Sequence, residues 1–234
     1  MGKSWKNPHK EAAAQKKGKI FTKMAREITV AAKLGGGDPE GNARLKMAIA
    51  AARAVSCPKD TIEKAIKRGT GEGGDDSVIE ELMYEGLGPA GVGIIVECQT
   101  DNRNRTISEL RTIFKKNGGN LGETGSVAWN FDRIALVAGA KSEVGDPEEE
   151  AIEAGADDVE KTDDGDYVFF GTATDLDVIR SGLTERGWDV QLAELSYKPK
   201  NTVAVAGDDQ AALDKLLEAL DDCDDTHRVY SNAE

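Results

Sequence analysis

The sequence has few of the residues that build metal sites and disulfide frameworks. Its three cysteines, Cys57, Cys98 and Cys223, lie far apart and form no CxxC pair. Neither of its two histidines, His9 and His227, stands beside a cysteine. The odd number and wide spacing of the cysteines argue against a disulfide framework and favour a reducing compartment. We therefore expect no structural zinc, no other bound metal and no cofactor.

Long hydrophobic runs are absent as well. No stretch approaches the ~20 apolar residues that a helix needs to cross a bilayer. No apolar segment follows the N-terminal charges as it does in a secretory signal. Hydrophobic residues still make up 39% of the chain, which is enough to fill buried cores. We expect a soluble, cytoplasmic protein with no membrane partner.

The net charge of −13 is divided unevenly along the chain. Residues 1–71 contain 16 Lys and Arg against 6 Asp and Glu, for a net charge of +10. Residues 72–234 contain 14 against 37, for a net charge of −23. Such asymmetry predicts different partners for different domains, and the basic part favours a polyanion. A solvated basic helix face is the alternative explanation.

Hydrophobic periodicity predicts that the basic part is helical. Ile20, Met24 and Ile28 recur at helical spacing, with lysines and Arg26 on the other side. The predicted segments are an arm at 1–18, helices at 19–34, 43–55 and from Pro58 to Gly69, a turn at 35–42 and a linker at 69–77.

The acidic remainder alternates short strands and helices. Residues 134–199 predict the order β-α-β-β-α-β, which is the ferredoxin-like unit. A second such unit is predicted from strands at 92–100, 126–131, 202–207 and 227–232, with helices at 103–117 and 208–221. A further strand at 81–86 is expected to pair with 92–100 around a turn.

The expected fold class is therefore α+β, with two ferredoxin-like domains, one inserted into the other, after a helical N-terminal domain. The predicted domains are residues 1–76, residues 77–133 with 200–234, and the inserted residues 134–199.

Several long motifs resemble those of the YebC family. They are KIFTKMAREITVAAKLGGGDPEGNARLKMAI (19–49), PKDTIEKAIKRGTGE (58–72), YEGLGPAGVGIIVECQTDNRNRT (84–106), GGNLGETGSVAWNF (118–131) and VYSN (229–232). They follow the family order over nearly the whole chain. The N-terminal arm departs from the family, since Lys3, Ser4 and Trp5 lack the histidine that commonly precedes them.

The resemblance implies three domains, the second α/β domain being inserted into the first. It also implies a regulator of gene expression, because bacterial members are commonly described as DNA-binding transcriptional regulators. Other members, including a mitochondrial translational activator of cytochrome c oxidase, act on translation at the ribosome. DNA and ribosomal RNA therefore both remain candidate partners.

Basic side chains in and near the helical domain are the candidate nucleic-acid contacts, because phosphates bind lysine charges and guanidinium forks. The candidates are Lys16, Lys17, Lys19, Lys23, Arg26, Lys33, Lys64, Lys67, Arg68, Arg103 and Arg105.

Arg103 and Arg105 would stand in the first turn of a helix capped by Asp101 or Asn102. Cations at this positive helix end call for a compensating anion. A phosphate or a neighbouring carboxylate such as Glu97 would provide it.

Aromatic and acidic residues have plainer explanations. Trp5, Trp129 and Phe131 could stack on bases, but alternation along a strand favours a core position for the last two. The acidic clusters Glu148–Glu150, Asp163–Asp166 and Asp221–Asp225 could bind a catalytic metal, yet they lack a histidine or lysine partner. We interpret them as solubilising charges that also keep phosphate away.

The sequence thus predicts a non-enzymatic, nucleic-acid-binding regulator of gene expression. It has no convincing base-reading helix, since the second helix carries mainly Ala and Leu, so phosphate and shape contacts are favoured. The alternatives are a ribosome-associated translation factor that contacts rRNA or tRNA, and a small-molecule-sensing module. A metal-dependent nuclease or phosphatase is the third and weakest alternative.

Overall fold

The computed structural model describes residues 8–72, 78–162 and 165–234, with side chains from residue 17 onward. A helical segment precedes two four-stranded antiparallel sheets that carry helices, which confirms the predicted α+β class. The chain divides into two compact units, Met1–Ala128 with Thr202–Glu234, and Trp129–Asn201. The second unit nearly coincides with the predicted insertion at 134–199, and the division into three domains remains a proposal.

The elements follow in chain order. The helices are α1 (Pro8–Gly35), α2 (Ala43–Ala54), α3 (Lys59–Gly69), α4 (Arg103–Lys116), α5 (Pro147–Ala154), α6 (Leu176–Glu185) and α7 (Asp208–Asp221). The strands are β1 (Glu80–Leu87), β2 (Gly93–Thr100), β3 (Asn120–Leu121), β4 (Phe131–Ala140), β5 (Asp158–Lys161), β6 (Tyr167–Thr172), β7 (Asp189–Pro199) and β8 (Thr226–Ser231).

The three N-terminal helices share one apolar core, built from residues such as Ile28, Leu45 and Ile62. The turn between α1 and α2 is held by Asn42, whose Oδ1 accepts a hydrogen bond from Leu45 N at 3.1 Å. Its Nδ2 donates to the Ala31 carbonyl at 2.8 Å. One side chain thus caps α2 and also satisfies a carbonyl at the end of α1.

Helices α1 and α3 pack with close backbone contact where α3 ends. A Cβ on Gly69 would stand 2.4 Å from the Thr29 carbonyl oxygen and 3.1 Å from the Lys33 nitrogen. The Thr29 hydroxyl donates to the Ala65 carbonyl at 3.1 Å. The C-terminal ends of the two helices therefore lie side by side, because glycine leaves room for the approach.

The first sheet has the strand order β3-β1-β2-β8, with every pairing antiparallel. Its core contains Ile94, Val96 and Phe114 together with leucines of α7. The predicted hairpin strand is β1, which lies inside the sheet between β2 and β3. It takes the position that a strand at 202–207 would need.

Two predicted strands are wrong. Residues 202–207 form only an isolated bridge between Val203 and Ala233, because β1 already fills the interior of the sheet. Within 126–131, residues Ala128–Asn130 form a 3-10 helix, and Phe131 begins β4.

A buried carboxylate explains the second error. Glu85 accepts hydrogen bonds from the backbone nitrogens of Gly125, Val127 and Ala128 at 2.6, 2.7 and 2.7 Å. Burial by itself would raise the pKa of Glu85, but these three hydrogen bonds lower the pKa below its ordinary value. The amides are therefore committed to a side chain and cannot pair with a neighbouring strand.

The second sheet has the order β5-β6-β4-β7 and is also antiparallel throughout. With α5 and α6 it follows the predicted β-α-β-β-α-β order. Its core contains Phe169, Ile179 and Leu183, and the Trp188 ring meets Phe169 edge-on at 4.8 Å.

We expect Gly69→Ala to lower the free energy of unfolding by about 1–3 kcal/mol, because the new methyl group meets backbone that cannot move aside. Gly18 lies in α1 with open space where its Cβ would be, so Gly18→Ala is the matched control. That control should raise the free energy of unfolding by about 0.5–1 kcal/mol. Urea denaturation of both variants provides the measurement, and equal stability of the two would contradict the close packing of α1 on α3.

Candidate nucleic-acid interface

Eight of the eleven candidate cations fall into two groups; of the others, Arg68 is half-buried and Arg103 is exposed. Lys17, Lys33, Lys64 and Lys67 are exposed and make no ion pair with another described residue. Those of the second group, Lys19, Lys23, Arg26 and Arg105, contact acidic segments of the same chain. The Lys16 side chain lies outside the described residues.

Lysines in the middle of α1 contact the acidic C-terminal end of α7. The Lys19 Nζ donates to the Asp222 carbonyl at 2.9 Å. The Lys23 Nζ donates to the Asp221 carbonyl and lies 3.2 Å from its carboxylate. The intramolecular partners of these lysines are therefore a helix C-terminus and its aspartates, where cations are favoured.

Asp225, which follows α7, is buried with only 2% of its surface exposed. Its Oδ1 lies 3.1 Å from the Arg26 Nη2 and accepts from the Arg105 Nη2 at 2.9 Å. Its Oδ2 accepts from the hydroxyl of Thr106 at 2.7 Å and that of Thr100 at 3.2 Å. This carboxylate connects α1, α4 and β2 at a single point.

The predicted cap and the predicted compensating anion of α4 have different outcomes. Asn102 caps the helix, since its Oδ1 accepts from Arg105 N at 3.1 Å. The carboxylates that pair with Arg105 are Asp225 and Asp101, and not Glu97. Arg103 is exposed, and its guanidinium acts to lower the pKa of Tyr84, although burial raises that pKa overall.

The interpretation of residues 221–225 as solubilising charges is therefore wrong for part of the cluster, since Asp221 and Asp225 pair with cations of α1. In the helix-start cluster, Glu150 accepts from the Lys141 Nζ at 2.8 Å. Asp163 and Asp164 lie outside the described residues. Across the three described ranges, no group of His, Cys, Asp or Glu is arranged to hold a metal ion.

A second polar cluster joins α1 to both α2 and the first sheet. Glu27 forms a bidentate pair with Arg44, with Nε to Oε1 at 2.8 Å and Nη2 to Oε2 at 3.0 Å. Gln99 Nε2 donates to the Glu27 Oε2 at 2.6 Å, and the His227 Nε2 lies 3.5 Å from the same oxygen. The Arg44 Nη2 also donates to the Glu81 Oε1 at 2.6 Å.

Burial and charge act in opposite directions within this cluster. Burial lowers the pKa of His227 to about 4, despite the attraction of Glu27. Burial would also raise the pKa of Glu27, but the hydrogen bond and charge of Arg44 outweigh it and lower the pKa. The carboxylate is therefore charged and the imidazole neutral near neutral pH.

A cleft of about 360 Å³ lies against α1 and α3. Three of its lining side chains are candidate cations from the two helices, Arg26, Lys64 and Arg68. The fold thus brings together residues that are up to 42 positions apart in the sequence. The predicted set is otherwise spread over separate elements.

The aromatic candidates also differ from one another. Phe131 is buried as predicted, with 6% of its surface exposed. Trp129 is 67% exposed, so its predicted core position is wrong, because it stands in a 3-10 helix where strand alternation does not apply. Trp5 lies outside the described residues.

Sequence reasoning missed the residues that anchor α1, chiefly Glu27, Arg44 and Asp225. The opposite charges of α1 and residues 221–225 were a visible signal. Pairing them required the sheet topology, which brings the C-terminal strand β8 next to β2.

Comparisons with known proteins agree over nearly the whole chain. A family model described as the TACO1/YebC protein N-terminal domain matches residues 3–72, and one described as the TACO1/YebC second and third domain matches residues 79–233. A protein of Bdellovibrio bacteriovorus named probable transcriptional regulatory protein is 58% identical over 231 residues, covering 99% of both chains. A Desulforapulum autotrophicum protein with the same description is 47% identical, covering 97% of this chain and 92% of the relative.

A solved structure is similar as well. The crystal structure of a conserved hypothetical protein from Aquifex aeolicus has a TM-score of 0.82 and 40% sequence identity. The match covers 93% of this chain and 90% of that one. No helix in the described part of the chain is long and apolar enough to cross a membrane.

We expect Asp225→Asn to lower the free energy of unfolding by about 3 kcal/mol, because it leaves two guanidinium groups without their buried carboxylate. Asp224 is exposed, so Asp224→Asn is the matched control and should change stability by less than about 0.5 kcal/mol. Chemical denaturation followed by circular dichroism compares them. Similar losses in both variants would show that Asp225 is not the anchor.

The low pKa of His227 predicts a pH-dependent stability. Below pH 6.5 the unfolded chain binds a proton at His227, whereas the folded chain stays neutral there until about pH 4. As the pH is lowered from 6.5 to about 4, the free energy of unfolding should therefore decrease. This group contributes at most about 1.4 kcal/mol per pH unit to that decrease. In His227→Gln the free energy of unfolding should decrease less steeply over the same pH range. Above pH 7 its dependence on pH should match that of the native protein. Parallel slopes throughout would contradict the burial of a neutral imidazole.

Proposed function

The chain belongs to the TACO1/YebC family, and on that premise we propose that it is a non-enzymatic regulator of gene expression that acts by binding nucleic acid. The binding surface is the exposed basic face at the adjacent C-terminal ends of α1 and α3. The relatives' description as probable transcriptional regulatory proteins supports DNA as the partner.

The observation that carries this proposal is the position of three lysines. Lys33 stands in the last turn of α1, and Lys67 in the last turn of α3. Lys64 lies one turn earlier on α3, and all three are exposed. The backbone contact at Gly69 places the two helix ends together, so the three charges can meet one phosphate backbone.

Intramolecular pairing gives four of the other candidates a different role. Lys19, Lys23, Arg26 and Arg105 contact carboxylates or carbonyls of the same chain, which uses part of their capacity for phosphate. Lys17, Arg68 and Arg103 would extend the surface. The acidic residues that follow position 71 would be repelled by phosphate, which favours contact through the helical face alone.

Contact with phosphates gives binding that weakens with salt, because each neutralised phosphate releases counterions. The triple variant Lys33→Gln, Lys64→Gln, Lys67→Gln should lower the affinity for duplex DNA. The slope of log affinity against log salt concentration should become shallower by about 2–3. Fluorescence anisotropy over a salt series measures both quantities.

The matched control removes the same charge elsewhere. Lys115, Lys116 and Lys215 are exposed on α4 and α7, and their triple change to Gln should leave the slope unaltered. Equal effects of the two triple variants would contradict the assigned surface. Absence of binding to DNA, RNA and ribosomes would reject the proposed function. Tight binding to ribosomes, together with weak and equal binding to specific and random DNA, would instead favour a role in translation.

A further inference from the structure

The cleft between α1 and α3 has a composition that the proposed surface does not require. Contact with a phosphate backbone needs only exposed cations, yet this cleft also has apolar walls. Phe21 and Ala25 of α1 line it together with Ala65 of α3 and Ile79, which precedes β1. Phe21 is partly buried and packs against the helical core, so one aromatic ring is held at the wall.

Polar groups complete the lining. Arg26, Lys64 and Arg68 supply positive charge, and Thr22 and Thr61 supply hydroxyls. The Thr22 hydroxyl donates to the Gly18 carbonyl at 3.0 Å, which leaves its oxygen able to accept. Among the described residues of the lining, Asp101 is the one acidic side chain, and it pairs with Arg105 at 3.0 Å.

We propose that this cleft binds a single unpaired nucleotide of a nucleic-acid strand. The inference rests on the proposed function, because it names the form of nucleic acid that the same basic domain prefers. A volume of about 360 Å³ is at the lower end for small-ligand sites and suits one nucleotide. Two paired nucleotides need about twice the volume of one, so a paired strand does not fit in the cleft.

Each part of a nucleotide has a complement in the lining. The base meets Phe21 and the aliphatic residues, since base faces bind aromatic side chains without regard to sequence. The phosphate meets Lys64 and Arg68, and the carboxylate of Asp101 accepts from an amino or hydroxyl group. A base paired within a duplex hides its faces in the stack, so only an unpaired or extruded nucleotide offers them.

The test uses the full chain and two labelled hairpins with the same stem, one fully paired and one with a single-nucleotide bulge, each made as DNA and as RNA. We expect the bulged hairpin to bind about tenfold more tightly in at least one chemistry, the size expected for one stacked base. Thr61→Phe fills the cleft without changing charge and should abolish that preference, leaving the affinity for the paired hairpin unchanged. Thr112→Phe places the same ring on an exposed turn of α4 and should retain the preference.

A second pair of variants tests the cleft without filling it. Lys64 lines the cleft and Lys67 does not, although both are exposed on α3. Lys64→Gln should reduce the bulge preference, whereas Lys67→Gln should weaken both hairpins by the same factor.

The outcomes separate the two proposals. If the native protein binds both hairpins equally and with the same salt dependence, the proposal that the cleft binds a nucleotide is overturned. The proposed function would remain intact. If folded Thr61→Phe still prefers the bulged hairpin, the proposal that the cleft binds a nucleotide is also overturned. Failure to bind any hairpin, with intact folding, would overturn the proposed function together with it.

Discussion

The pairing of the buried Asp225 carboxylate with Arg26 and Arg105 is the interaction that joins the elements of the first compact unit. A charge with 2% of its surface exposed is tolerated only when cations and hydrogen-bond donors surround it. Arg26 of α1, Arg105 of α4 and two threonines meet that demand. The need to neutralise this anion therefore helps to fix the position of α1 against the first sheet. The second polar cluster around Glu27 fixes the same helix through Arg44 and Gln99.

This arrangement divides the basic charge of the three N-terminal helices between two roles. Cations in the middle of α1 hold the α7–β8 segment, so their charge is largely compensated within the molecule. Lysines at the ends of α1 and α3 stay exposed, and they are the ones we propose to meet phosphate. A polyanion would thus encounter a small basic face on a chain whose net charge is −13. Repulsion from the remaining surface would restrict how it can approach.

The cleft is lined by cations of both groups, namely Arg26 and Lys64. Arg26 contributes both to the lining and to the buried contact with Asp225, so the anchor that positions α1 also shapes the cleft. A site whose walls are fixed by buried ion pairs loses little conformational freedom when a ligand enters. The anchoring of α1 and the recognition that we propose would in this sense depend on one cluster of side chains.

The sequence by itself determined most helices, the order of elements in the inserted unit and the basic character of the N-terminal part, because these depend on local periodicity and composition. Only the tertiary structure decided which cations are compensated, because Lys23 and Asp221 are 198 positions apart. It also decided that β1 fills the interior of the first sheet, and that Glu85 captures the amides of a segment with strand-like composition. Contacts at such separation depend on strand order and on the demands of buried charges, which no local pattern of residues specifies.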